Sequence, residues 1–422
     1  MRSGFKRWLL RSRWTKWLPG MRTLLGRDGW HLCNSRALSA PAEELHAALP
    51  FLDPPPGDVF DLALPAPRFD ALPVAPAKLA LADRGHPLPL GLPDLREAIA
   101  AKLHRENRLT TNPVDELIIT QGASGALGLV LDTFLNPGER VVVFDPGYYG
   151  HAWAVAQRQG HLARVPAAGD ENGRLRFSLS RLVRAMQRAK LLILNSPQNP
   201  TGAVIDPEDL ELIAWYADRE DILIVSDEVY ERYQFDGPFI SIGSFPKAAS
   251  RTLTVNSLSK SHALAAYRVG WLAGSRSLIR QCGATALLQQ HAVPTICQHL
   301  ALAAFQVPHS AFQTIRQEFQ ARRRFVQEQL KGMGLSASWA AGAYYAWVSV
   351  QTLQLTGREF AERLLTEQNV LTVPGDLFGP GSTDFIRLSF ALEDETRLRE
   401  AFRRMTDFVR QLAPPAQPLL PT

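Results

Sequence analysis

The chain has 422 residues. At about 150 residues per domain that suits two or three domains, or one large α/β domain with a smaller companion. Hydrophobic residues make up 46% and charged residues 21%, which excludes collagen-like, disordered and coiled-coil organisation. The net charge is +5, but residues 1–30 hold eight basic side chains and one acidic, so the rest carries −2, which argues against a nucleic-acid-binding face on the folded body.

The first 30 residues lack an uninterrupted apolar run and a small-residue cleavage site, so no secretory signal is expected. Trp8, Leu9, Leu10, Trp14 and Trp17 could line one face of a basic helix on an acidic membrane surface. The blander readings, a loose tail or a start at Met21, are preferred. The Pro-rich stretch from Pro50 to Pro76 has no core pattern of its own and is expected to pack against the C-terminal unit. Three cysteines, Cys33, Cys282 and Cys297, stand far apart, so neither a zinc site nor a disulfide framework is expected and a reducing cytoplasm fits.

From about residue 115 the pattern alternates. Short apolar runs at Leu117–Thr120, Val141–Phe144, Leu191–Leu194, Ile222–Val225, Thr252–Val255 and Val269–Ala273 predict strands. Between them, Ala126–Leu135 has helical spacing and stops at Asn136-Pro137-Gly138. Asp206-Pro207 opens another helix, with Asp as N-cap and Pro at the first helical position. Strands apolar throughout and separated by helices predict a parallel sheet covered on both faces. From Gln281 to Ile315 no Asp, Glu, Lys or Arg occurs, yet polar residues and prolines interrupt any membrane-length run. A helical segment in the core or between subunits is expected there. His309–Met333 predicts a long helix, followed by strands near Ala343–Val350, Asn369–Val373 and Phe385–Phe390 and a last helix, Asp394–Leu412, together a smaller α+β unit.

The chemistry-bearing residues cluster at strand ends. Asn256-Ser257-Leu258-Ser259-Lys260 follows one strand, with Arg268 eight residues on. An amine among hydroxyls with a second cation nearby suits a nucleophile of lowered pKa, although a surface lysine in a polar loop would show the same residues. Asn195 to Gly202 follows a second strand, Ser226-Asp227-Glu228-Val229-Tyr230 a third, and Gln121 to Leu127 joins a strand to a helix N-terminus suited to phosphate. Open α/β sheets bind ligands at these carboxyl ends.

In order and spacing, Gly91-Leu92-Pro93-Asp94-Leu95-Arg96, Gly122 to Leu127, Asp145-Pro146-Gly147-Tyr148, Asn199-Pro200-Thr201-Gly202, Asp227-Glu228-Val229-Tyr230, the Ser257–Lys260–Arg268 block and Ile386 to Phe390 resemble the class I/II aminotransferases, pyridoxal 5′-phosphate (PLP) enzymes of fold type I, aspartate aminotransferase-like. The resemblance implies a large domain (76–309) with a mostly parallel seven-stranded sheet between helices, a small α+β domain (31–75 and 310–422), a basic extension (1–30) and a homodimer acting on an amino acid and a 2-oxo acid. It implies that Lys260 forms a Schiff base with PLP and moves the proton, that Asp227 pairs with the pyridine nitrogen, and that Tyr230 and Asn199 bond its phenolic oxygen. Tyr148 would stack on the ring. Ala123, Ser124, Ser257 and Arg268 would hold the phosphate, and Arg387 the substrate carboxylate.

The chain departs from the family pattern at His86, where a Tyr is usual, and at Ala266, where a Gly is usual. Asp61 to Pro67 and Ala340-Ala341-Gly342 also differ, which leaves the cofactor site intact and rewrites the substrate mouth. A PLP-dependent lyase or amino-acid-modifying enzyme would share the same core residues. A transcription regulator with this domain would need an N-terminal DNA-binding module for which the extension is too short.

Overall fold

The computed structural model describes residues 48–52, 57–67, 87–289 and 292–412. The basic extension, His86, Cys33, Gln290 and His291 lie outside the described residues.

The large sheet contains β2 (Leu117–Gln121), β3 (Arg140–Asp145), β4 (His161–Gly169), β5 (Leu175–Phe177), β6 (Ala189–Asn195), β7 (Leu223–Asp227), β8 (Thr252–Ser257) and β9 (Val269–Ala273), in the order β2-β9-β8-β7-β6-β3-β4-β5. The seven-stranded expectation is thus corrected to eight. The added strand, β5, is three residues long and pairs antiparallel with the outer part of β4, extending the edge. Strands β8, β7, β6, β3 and β4 run parallel. Strand β9 runs antiparallel to both β8 and β2. Only residues 258–268 separate β8 from β9, too few for a crossover helix, so the chain turns straight back.

Apolar strand residues fill the layers on either side. Ile118, Val141, Val143, Ile193, Val225 and Leu253 pack under the Gly122–Phe134 helix, while Val142, Leu192 and Ile224 face the Pro207–Arg219 helix. That second helix starts where the sequence predicts, with Pro207 inside its first turn, but Asp206 makes no side-chain cap. Its carboxylate instead accepts from Arg176 at 2.7 Å, an ion pair that competes with the cap.

A second sheet, β10-β11-β14-β13, is built from Ser336–Ala337, Tyr345–Ser349, Phe385–Ser389 and Val373–Pro374. The predicted strand at Asn369–Val373 is divided, because β12 (Val370–Leu371) pairs elsewhere, parallel to β1 (Phe60–Asp61). Phe60 and Leu62 are buried with the helices His309–Gly332 and Glu395–Leu412, and Phe51 and Ala63 beside Trp347 and Phe378. The described parts of the Pro-rich stretch, 50–52 and 57–67, therefore pack against this second unit; its remaining residues lie outside the described ones. The uncharged stretch falls on three helices, the end of Arg276–Gln289, all of Thr295–Ala304 and the start of His309–Gly332, with Cys282, Ala286, Gln298 and Ala301 turned inward. Among the described residues no helix is long and apolar enough to cross a membrane.

Candidate active site

The carboxyl ends of β6, β7 and β8 and the N-terminus of the Gly122–Phe134 helix surround a cavity of about 630 Å³. Parallel register sets Asn195 beside Asp227, and Asn195 Nδ2 donates to the Asp227 carbonyl at 3.0 Å. Ala123, Ser124, Tyr148, Asn199, Asp227, Tyr230, Ser257, Lys260 and Arg268 all line this one cavity. Nine positions spread over some 145 residues are thus brought together.

Lys260 lies in a single helical turn, Leu258–Ser261, directly after β8. Its Nζ donates to the Pro65 carbonyl at 2.5 Å, and its own carbonyl accepts from Tyr233 Oη at 2.9 Å. Burial, reinforced by Arg387 and Arg268 against Asp227, brings the amine down to about 8. The Asp227 carboxylate is held on both sides. His151 Nε2 lies 2.9 Å from Oδ2, and the Val229 amide donates to Oδ1 at 3.3 Å. Tyr230 Oη and Tyr345 Oη share a 2.5 Å hydrogen bond, and burial raises both phenols above their ordinary range. Burial does the same to Tyr148, whose ring meets His151 edge-on at 5.2 Å.

At the other end stand Ser257, Arg268 and the helix N-terminus. Gly122 adopts φ +69°, and a Cβ there would stand 2.6 Å from Arg268 Nη2, so the guanidinium lies directly over the glycine. A Cβ on Gly270 would stand 2.6 Å from the Gly122 backbone. Two glycines therefore let β9 and Arg268 close on the first helical turn, where free N–H groups favour an anion.

Arg387 is not on the cavity wall; it stands one side chain behind it. It is fully buried on β14 and donates Nη1 to Asn199 Oδ1 at 2.9 Å and Nη2 to the Ala63 carbonyl at 2.6 Å. Its charge lies between the rings of Tyr345 and Phe378, at 4.6 and 5.0 Å, and Nε has no partner. A buried cation held by neutral acceptors leaves a demand for an anion. Of the residues that depart from the family pattern, Ala63 meets Arg387 directly. Ala340 stands where a Cβ on Gly202 would collide, at 2.7 Å, and Gly342 donates to the Gly202 carbonyl at 2.8 Å. Ala266 sits in a 3₁₀ turn, Ala265–Tyr267, just before Arg268.

Sequence reasoning missed His151, Asn195 and Pro65. His151 lies in the Tyr149–Gln157 helix, 76 positions from Asp227, with no local pattern marking it. Asn195, as the polar end of an apolar strand opposite Asp227, carried a usable signal.

The residues present suit a group that bears a phosphate, a ring nitrogen and an aldehyde, because an anion-binding helix end, a carboxylate and a lowered-pKa amine line one cavity. Residues 78–405 match the model of the family "Aminotransferase class I and II". An aspartate aminotransferase of Pyrococcus abyssi is 35% identical over 76% of this chain and 83% of its own length. Aromatic-amino-acid aminotransferase 2 of Thermococcus litoralis is 33% identical over 76% of this chain and 83% of its own. The crystal structure of an aromatic aminotransferase from Pyrococcus horikoshii superposes with a TM-score of 0.78 at 31% identity, covering 88% of this chain and all of the other. The chain therefore belongs to the class I and II aminotransferases and is a transaminase of fold type I.

Proposed function

We propose that this transaminase holds PLP in the cavity above β6, β7 and β8, with Lys260 as its covalent attachment point, and prefers neutral or aromatic amino donors to aspartate. Once bound, PLP supplies an electron sink for the pair left when an amino acid loses its Cα proton. The observation that carries the reading is Lys260, an enclosed amine brought down to about 8. A share of it is neutral near pH 7, so it can accept the Cα proton and return it to the neighbouring carbon.

The other side chains orient and exclude. Asp227, fixed by His151 and the Val229 amide, would present its carboxylate to the ring nitrogen and keep it protonated. Tyr230 and Asn199 would hydrogen-bond the phenolic oxygen, and Tyr148 would cover the ring and keep water out. Ala123, Ser124, Ser257 and Arg268 would hold the phosphate, and Arg387 would turn its fork from Asn199 and Ala63 to the substrate carboxylate.

Among the described residues lining the cavity the cations are Lys260, Arg268 and Arg158, and Arg158 is taken by Asp132 at 2.5 and 2.8 Å. A distal carboxylate would be desolvated without a bidentate partner. The chain also acts as a homodimer. Leu287, Leu288 and Ile296 in the uncharged stretch are 46%, 87% and 51% exposed in the single chain, an apolar surface suited to a second copy. A donor panel at equal concentration tests the substrate reading, and aspartate giving the highest kcat/KM would overturn it. Borohydride reduction of the coloured protein tests attachment, which Lys260→Ala should abolish.

A further inference from the structure

Behind the cavity lies a cluster of buried charges that the chemistry above does not use. Lys102, the last residue of the Pro93–Lys102 helix, is 1% exposed. Its Nζ donates to Glu231 Oε1 and, at 2.6 Å, to Asn107 Oδ1. Asn107 Nδ2 in turn donates to Glu231 Oε2 at 2.6 Å and to Glu228 Oε2 at 2.9 Å. Ser226 and Ser241 donate to Glu228 Oε1 at 2.9 and 2.5 Å. Asn107 reaches this place because the helix continues into a π-helical turn, Leu103–Asn107, which ends on the left-handed Arg108. Such turns inside helices recur at functional sites.

The turn from Asp227 to Tyr233 has two faces. Asp227 and Tyr230 line the cavity, and Tyr233 bonds the Lys260 carbonyl. Glu228 and Glu231 alternate with them and face away, into the cluster. Asn256 closes the turn from the side, its Nδ2 donating to the Glu228 carbonyl at 3.0 Å. Burial, with Glu231 adjacent, pushes Glu228 up to about 7. Arg232 joins the cluster through Glu106, 3.1 Å away. Buried ion pairs are poor sources of stability compared with apolar residues of equal volume, and fixing register is their best-attested use.

We propose that Lys102 and Asn107 are positioning residues for the reaction, fixing from behind, through Glu231 and Glu228, the turn that presents Asp227 and Tyr230. This rests on the reading that those two side chains face the cofactor. The double variant Lys102→Met/Glu231→Met removes the pair without leaving a lone buried charge. In the PLP-loaded protein it is expected to form the borohydride-reducible adduct. The pH midpoint of its visible absorbance should move by about half a pH unit or more. Its kcat with a neutral donor should fall about tenfold while KM changes less than about threefold. Asn107→Ala, which leaves Lys102 paired with Glu231, should move both readouts in the same direction by smaller amounts, and it decides the matter if the double variant does not fold. Wild-type midpoints and kcat in folded variants would overturn the inference and reduce the cluster to core filling. A wild-type protein that forms no adduct, or a Lys260→Ala variant that keeps one, would instead overturn the function proposed above.

Discussion

Replacing Lys260 by methionine is expected to stabilise the cofactor-free protein at pH 7 while removing the proposed attachment point. The folded chain encloses the amine and brings it from 10.5 to about 8, with burial the largest cause and Arg387 and Arg268 adding to it. At 1.36 kcal/mol per pKa unit, holding that cation in the folded state costs about 3 kcal/mol. The hydrogen bond from Nζ to the Pro65 carbonyl offsets about 1 kcal/mol of this, leaving a net gain for methionine of about 2 kcal/mol. The sign follows from proton binding. Between about 8 and 10.5 the unfolded chain holds a proton that the folded chain has released, so wild-type stability rises with pH across that window. The variant lacks this rise, so its advantage shrinks as pH approaches 10.5. With an unfolding entropy of about 2.1 cal/mol/K per residue, 2 kcal/mol in a chain of this length shifts the melting temperature by about 2 °C. Thermal melts of both proteins, stripped of cofactor, at pH 7 and pH 10 measure it. A variant that melts below wild type at pH 7, or a difference that does not narrow at pH 10, would refute the reasoning.

Asp227→Asn should lower kcat about 100-fold or more while cofactor occupancy stays within about threefold, because a neutral amide cannot hold a ring nitrogen protonated and the phosphate contacts remain; near-wild-type turnover would contradict the role. Gly122→Ala places a Cβ at φ +69° and within 2.6 Å of Arg268 Nη2, so the Kd for PLP, read by fluorescence, should rise about tenfold from backbone strain and a displaced guanidinium. Leu288→Glu puts a charge at the most exposed apolar position of the uncharged stretch, and sedimentation at micromolar concentration should then show monomer where the wild type is expected to show dimer.

The parallel strands were legible because both faces are covered, which leaves unbroken apolar runs such as Val141–Phe144. Strand β4 was not, since its neighbour on one side is only the short β5, five of its nine residues are half-buried, three are exposed, and Pro166 interrupts its ladder. The residues lining the cavity were legible because they fall at strand ends in recognisable strings. Lys102 was not. A lysine at the end of a helix reads as a solvated charge, and it is buried only because Glu231 arrives 129 positions later. His151 is hidden for the same reason, and Asp206 shows the converse, a strong local signal diverted by a distant arginine.

The seven residues from Asp61 to Pro67 touch the site at four points. Pro65 accepts from Lys260 and, at 3.2 Å, from Tyr344. Ala63 accepts from Arg387, and Leu64 accepts from Ser389 Oγ at 3.2 Å. These partners lie 195 to 325 positions downstream. On the ribosome, at roughly 5–20 residues per second, the segment therefore waits about 15–65 s for its last partner. Until then it has no sheet to join and no arginine to bind. The large sheet can be complete while the chain is still tethered, so a nascent molecule passes through a stage with the strands around its cavity in place and the wall that Pro65 supplies still unfixed.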